Sequence, residues 1–91
     1  IHLDHAGATG AIVARSPQAQ VYVHERGAPH LIDPSRLISS AAQLWGDRLE
    51  TLWGRPVPVP PERISTFTGG EQVALGARRL HAHDAPGHAK H

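Results

Sequence analysis

The chain has 91 residues, 40% of them hydrophobic and 19% charged, which is the composition of one small globular domain or of part of a larger one rather than of a disordered segment. A formal charge of +1 supplies no broad basic field for nucleic acid, and no apolar run approaches the roughly 20 residues that cross a bilayer. Neither nucleic acid nor membrane is therefore an expected partner. With no cysteine, disulfides, thiolate zinc sites and a cysteine nucleophile are all excluded, so any metal must take nitrogen and oxygen ligands, as zinc, iron and manganese do.

In chain order, Ile1-His2-Leu3-Asp4-His5 crowds two imidazoles and a carboxylate together, then runs into small residues from Ala6 to Ala11. The motif is expected to be extended or turning, with His2 and Asp4 on one face and His5 turned away by the following bend. Ile12, Val13 and Ala14 continue into a close-packed helix that stops before Pro17, with Gly7 and Gly10 easing it against the motif. Gln20-Val21-Tyr22-Val23-His24 is β-branched and aromatic, which predicts a short buried strand, and residues 25–32 predict one or two helical turns.

Asp33-Pro34-Ser35 is a helix start, with an acceptor at the cap and proline at the first helical position. From Leu37 to Trp53 apolar residues recur at helical spacing, punctuated by Gly46 and Gly54, so residues 34–53 are expected to form one bent helix or a helical hairpin. Residues 55–61 carry prolines at 56, 58, 60 and 61 and must be a polyproline-like crossing loop. Strands are expected over 64–67, 72–75 and 78–83, with turns at Gly69-Gly70 and Gly76, before a tight loop at Asp84-Ala85-Pro86-Gly87-His88. The order is that of an α/β protein, with most of its histidines at the two ends of the chain.

His2, Asp4 and His5 are thus candidate metal ligands, and His88 is the distant histidine best placed to join them, because Pro86-Gly87 can aim its ring back at the strand ends. These residues also carry a family resemblance. His2-Leu3-Asp4-His5-Ala6-Gly7 resembles the second half of the His-x-His-x-Asp-His motif of the metallo-β-lactamase superfamily, and Ala85-Pro86-Gly87-His88 resembles that family's second ligand loop, in the same order and general separation.

The resemblance implies that His2 and His88 hold one metal and Asp4 and His5 a second, with zinc as the expected ion and iron or manganese as alternatives. It implies a four-layer αββα sandwich, of which residues 1–91 would be a single incomplete domain carrying a helical insertion at about 34–53. The motif's first histidine would fall upstream of Ile1, and the bridging carboxylate and last histidine beyond His91. Weak folding of the isolated 91 residues, and no turnover by them alone, is expected on that basis, because the remaining ligands would lie outside them.

The implied chemistry is metal-dependent hydrolysis, in which metal-bound water, its pKa lowered from about 15.7 towards about 7, supplies hydroxide to an ester, thioester or lactone. Asp4 would hold the second metal and orient the hydroxide. A small-molecule substrate and a cytoplasmic location are expected. The Pro-Gly-His form resembles the glyoxalase II and lactonase branch, and histidine at position 2 argues against a di-iron redox site. An iron-dependent persulfide dioxygenase of the same fold and a non-catalytic metal-binding or interaction domain are the alternatives. A third is a free-standing domain that binds metal through His81, His83 and His88. His81 and His83 are otherwise expected at the site mouth without a metal, His24, His30 and His91 away from ligation, and Trp45 and Trp53 in packing rather than substrate contact.

Overall fold

In the computed structural model, which describes residues 1–90, helices and strands alternate in an α/β arrangement. The β-branched segments fall where the sequence places them, Val21–His24 as β1 and Ile64–Phe67 as β2, but β1 is half-buried rather than buried and its Tyr22 is exposed, because only one face of the strand pair meets the core. They pair in parallel, from Val21 opposite Ile64 to His24 opposite Phe67. A parallel pair needs a long crossover. Here the intervening chain supplies it as helices α3 (Ala28–Ile32), α4 (Ser35–Trp45) and α5 (Leu49–Trp53). On one face the Tyr22 ring stacks on Phe67 at 5.4 Å, joining the strands diagonally.

The opposite face of this strand pair meets the core. Val13, Leu31 and Val59 are buried together, with Ile1, Ala6, Val21, Val23 and Ile64 packed around them. Val13 comes from α2 (Thr9–Arg15), which follows a separate helical turn, α1 (Leu3–Ala6). Val59 comes from the proline run and is the most deeply buried side chain, 1% exposed, whereas Val57 is 44% exposed. Two residues apart, they would share a face in a β-strand; a three-residue polyproline turn separates them. Of residues 56–61 only Val57 and Val59 can donate an amide proton, and Val59 N–H donates to the Leu31 carbonyl at 2.8 Å. Where the run crosses α2, a Cβ on Gly10 would collide with the Val57 carbonyl, so the helix can lie this close only with glycine there.

The run ends in a 3-10 turn, Pro61–Arg63, whose arginine reaches back to the loop between α2 and β1. Arg63 donates to the carbonyls of Ser16 and Ala19, each at 2.9 Å. This guanidinium holds the loop beside β1, a tie that no motif in the sequence announces.

Strands β3 (Gln72–Leu75) and β4 (Arg78–His81) form an antiparallel hairpin. All four β4 residues are exposed, and the strand stops two residues short of the expected 83. Beyond the strand the pairing continues through Ala82, whose N–H donates to Glu71 O at 2.8 Å and whose carbonyl accepts Gly70 N–H at 2.9 Å. Each sheet contains two strands among the described residues, which establishes the α/β class and no finer architecture.

The expected conformation of the first segment needs correction. The segment after His2 is not extended: Ala6 N–H donates to His2 O at 2.8 Å and Gly7 N–H to Leu3 O at 3.1 Å, winding Leu3–Ala6 into a helical turn. Only His2, at φ −67° and ψ 155°, keeps extended backbone. Of the two forms expected for residues 34–53, two helices are found rather than one bent helix: a 3-10 turn at Gly46–Arg48, opening with Gly46 at φ 51°, divides α4 from α5. The start of α4 is one residue later than expected, with the Asp33 carboxylate accepting Ser35 N–H at 3.1 Å across Pro34. Among the described residues no helix is long and apolar enough to cross a membrane.

The β2–β3 turn is built on Glu71, whose carboxylate accepts Thr68 N–H and Thr68 Oγ–H at 2.7 Å and Gly69 N–H at 2.8 Å. The Thr68 amide and hydroxyl, more than any other contact, hold this carboxyl at about 2 against an ordinary value of 4.5. A carboxyl lowered on folding stabilises the folded turn in full above pH 4.5, and that contribution fades as pH falls through about 2. The Thr68 and Gly69 amide resonances should therefore titrate with a midpoint near 2 and lose that titration in Glu71→Gln; a midpoint at 4.5 would show that the turn does not hold the carboxylate. Gly10→Ala should lower stability by about 1–3 kcal/mol, measured by urea unfolding, because only backbone movement can relieve the contact with Val57.

Candidate metal centre

The two ends of the chain meet at the candidate ligands. His2 stands at the start of α1, immediately after Ile1, which is packed against the core. Asp4 and His5 follow on that helical turn. His88 arrives from the last loop, where Gly87 N–H donates to Ala89 O at 2.8 Å in a tight turn past Pro86. His2 Nδ1 and His88 Nε2 lie 3.0 Å apart, and His88 Nε2 lies 3.4 Å from Asp4 Oδ2. One ligand atom from each of His2, Asp4 and His88 falls within 4.8 Å of the other two.

These separations can be compared with what a cation would need. Two donors at about 2.0–2.1 Å from a tetrahedral zinc lie roughly 3.3 Å from each other. The His2–His88 and His88–Asp4 separations are edges of that size. His5 Nε2 is 3.3 Å from Asp4 Oδ2, while its ring centroid is 5.0 Å from that of His88. The arrangement is thus a compact trio, His2–Asp4–His88, with His5 attached through Asp4. Since Asp4 lies near both His88 and His5, it stands between the two pairs suggested by the sequence.

Asp4 and the two imidazoles beside it are substantially open to solvent, with side-chain exposures of 44% for Asp4, 66% for His5 and 61% for His88. Partial desolvation by neighbouring atoms pushes the Asp4 carboxyl upward. Its own backbone N–H, then the imidazoles of His5 and His88, more than offset this, so the group sits below its ordinary value. The carboxylate is accordingly anionic at neutral pH and available as a ligand.

Beside the trio opens a cleft of about 420 Å³, lined by His2, Leu3, Asp4 and His88 at one end and by Leu37, Ser40, Ala41, Leu44, Trp45 and Trp53 along its length. The helical segment expected to be an insertion thus forms the wall of the cleft. Trp45 and Trp53 pack edge to face at 5.9 Å, as expected for packing residues, and they line the cleft as well. Trp53 Nε1–H is buried without a hydrogen-bond partner among the described residues. The wall was legible in principle: Leu37, Ser40, Ala41, Leu44 and Trp45 recur at helical spacing and share one face of α4.

The other histidines lie apart from the trio. His81 and His83 are exposed and stacked at 6.5 Å, and His83 shares a smaller hollow with Asp84 and His24. His24 Nδ1 accepts Arg26 N–H at 3.1 Å at the end of β1. His30 is half-buried on α3 and borders a separate hollow next to His2 and His88. His91 lies outside the described residues. No protein-family model, curated protein or solved structure matches the chain.

The trio makes a direct prediction for metal affinity. In calorimetric titration with zinc, His2→Ala, Asp4→Ala and His88→Ala should each weaken binding by at least about tenfold, the lower end of what even outer-shell partners of metal ligands contribute. His24→Ala should leave the affinity where it was. Equal losses from all four variants would place the ion elsewhere.

Proposed function

We propose that the chain carries the centre of a metal-dependent hydrolase of the metallo-β-lactamase type, acting on an ester, thioester or lactone. The observation that supports this most is the convergence of two imidazoles and a carboxylate, from opposite ends of the chain, at the head of an apolar cleft. His2, His88 and Asp4 would hold a divalent cation, with His5 beside Asp4 as a donor towards a second. Zinc fits the nitrogen-rich donor set, and iron or manganese can occupy the same ligands. The ion's contribution, when bound, would be to bring the pKa of water towards neutrality and to polarise the carbonyl under attack.

The chain's own residues supply the rest. Asp4, held anionic, fixes the geometry of the donor set and orients the attacking water. Leu37, Ala41, Leu44 and the two tryptophans shield the apolar part of a small-molecule substrate from solvent and align its carbonyl with the trio. In the reaction the water oxygen bonds to the carbonyl carbon and the carbon–oxygen or carbon–sulfur bond breaks. The departing group takes a proton from the water. The αββα sandwich and a cytoplasmic location belong to the same proposal.

One observation favours a second reading. Two histidines and one carboxylate on a shared face form the donor set of non-haem iron(II) oxygenases, so an iron-dependent persulfide dioxygenase would use the same trio. Loading the full-length protein in turn with zinc, manganese and iron(II), then assaying aryl esters, thioesters and lactones, separates the two. Hydrolysis with zinc or manganese that disappears in His2→Ala and His88→Ala supports the hydrolase. Oxygen uptake with a persulfide, confined to the iron form, supports the oxygenase. Failure to take up any of the three metals would rule out both.

A further inference from the structure

A second hollow of about 420 Å³ lies against the same two histidines. It is lined by Ile1, His2, Arg26, His30, His88, Ala89 and Lys90. Its chemistry contrasts with that of the apolar cleft. Arg26 and Lys90 bring two permanent cations and His30 a third nitrogen donor, and among the described residues no carboxylate lines the hollow. Among the described residues neither Arg26 nor Lys90 has an acidic side chain within ion-pair distance. Arg26 is oriented all the same: one end of its guanidinium, Nη1, donates to the Lys90 carbonyl at 3.4 Å, which ties the last loop to the turn after β1. The remaining guanidinium N–H groups form the planar fork that matches a carboxylate or phosphate.

His2 and His88 line both hollows, so the trio occupies the boundary between an apolar compartment and a cationic one. A molecule whose reacting bond sits at the trio would extend one end towards Trp45 and Trp53 and the other towards Arg26 and His30. We infer that the hollow formed by Arg26, His30 and Lys90 is an anion subsite, and that the substrate joins an apolar group to a group bearing a carboxylate or phosphate across the bond that is cleaved. This inference takes the hydrolase proposal as its premise for the reaction, while the anion subsite itself rests only on the hollow and its charges.

Two measurements test it separately. The first needs no metal and no turnover: inorganic phosphate is titrated into the metal-free chain at low ionic strength, with the Arg26 side-chain N–H and the His30 ring followed by NMR. Saturable shifts, lost in Arg26→Gln, partly kept in Arg26→Lys and weakened by salt, are expected. Shifts that do not saturate, or that survive unchanged in Arg26→Gln, overturn the subsite. The second compares matched aryl esters and thioesters that differ only in a carboxylate, placed on the acyl or on the departing side. The zinc-loaded full-length protein should prefer the anionic member at least fivefold in kcat/KM on one side, through KM, and Arg26→Gln should remove the preference. Turnover of both members without preference overturns the substrate class and leaves the hydrolase proposal standing. Saturable phosphate binding, with no ester, thioester or lactone turned over by the zinc-loaded full-length protein, supports the subsite and overturns the hydrolase proposal instead.

Discussion

The fold depends on one constraint: a proline-rich segment with almost no amide donors must cross the core without leaving its backbone unsatisfied. Buried backbone groups are costly unless paired. The chain meets this by spending one of its two available donors on the Leu31 carbonyl and burying the Val59 side chain at the same point. That contact fixes α3 beneath the crossing segment and closes the small core of Val13, Leu31 and Val59. It also delivers the chain, through the Pro61–Arg63 turn, into register beside β1. Arg63 completes the arrangement by capturing two carbonyls of the loop before β1.

The candidate centre inherits its order from this core unevenly. Ile1 packs on the core, and a Cβ on Gly27 would strike its side chain, so His2 is carried by a residue that cannot drift far. Asp4 and His5 follow on one helical turn and share that anchor. His88 is different. It belongs to an exposed loop held near the centre by the Arg26–Lys90 contact and by its own approach to His2 and Asp4. A cation bound between His2 and His88 would cross-link the two ends of the chain, so binding and folding would reinforce each other. Arg26 links the two compartments, since it tethers the loop that carries His88 and also supplies charge to the hollow beside it.

The sequence was most legible where local chemistry decides the outcome. Alternating β-branched and aromatic residues located β1 and β2, the prolines dictated an extended run, and Asp33-Pro34-Ser35 marked a helix start to within a residue. It was less legible where short-range hydrogen bonds compete. Residues 2–5 could serve as an extended loop or a helical turn, and the carbonyls of His2 and Leu3 selected the turn. The tryptophans carried a mixed signal, because a packing residue and a cleft wall have the same apolar periodicity; Trp45 and Trp53 are both at once. Arg26, Lys90 and Arg63 carried no signal at all, since a lone cation in a sequence does not disclose which distant carbonyl or hollow it will face.

By itself, then, the sequence restricted any candidate ligands to nitrogen and oxygen without sulfur, and set the α/β order of the elements between them. Both follow from residue type and short-range pattern, which are properties of neighbours along the chain. Only the tertiary structure decided that His2 and His88 stand 3.0 Å apart, that Asp4 lies next to His88, and that the trio sits between an apolar cleft and a cationic hollow. Those relations join residues from opposite ends of the chain. They arise from how the parallel strand pair and the proline crossing bring those ends together, and no local pattern encodes that distance.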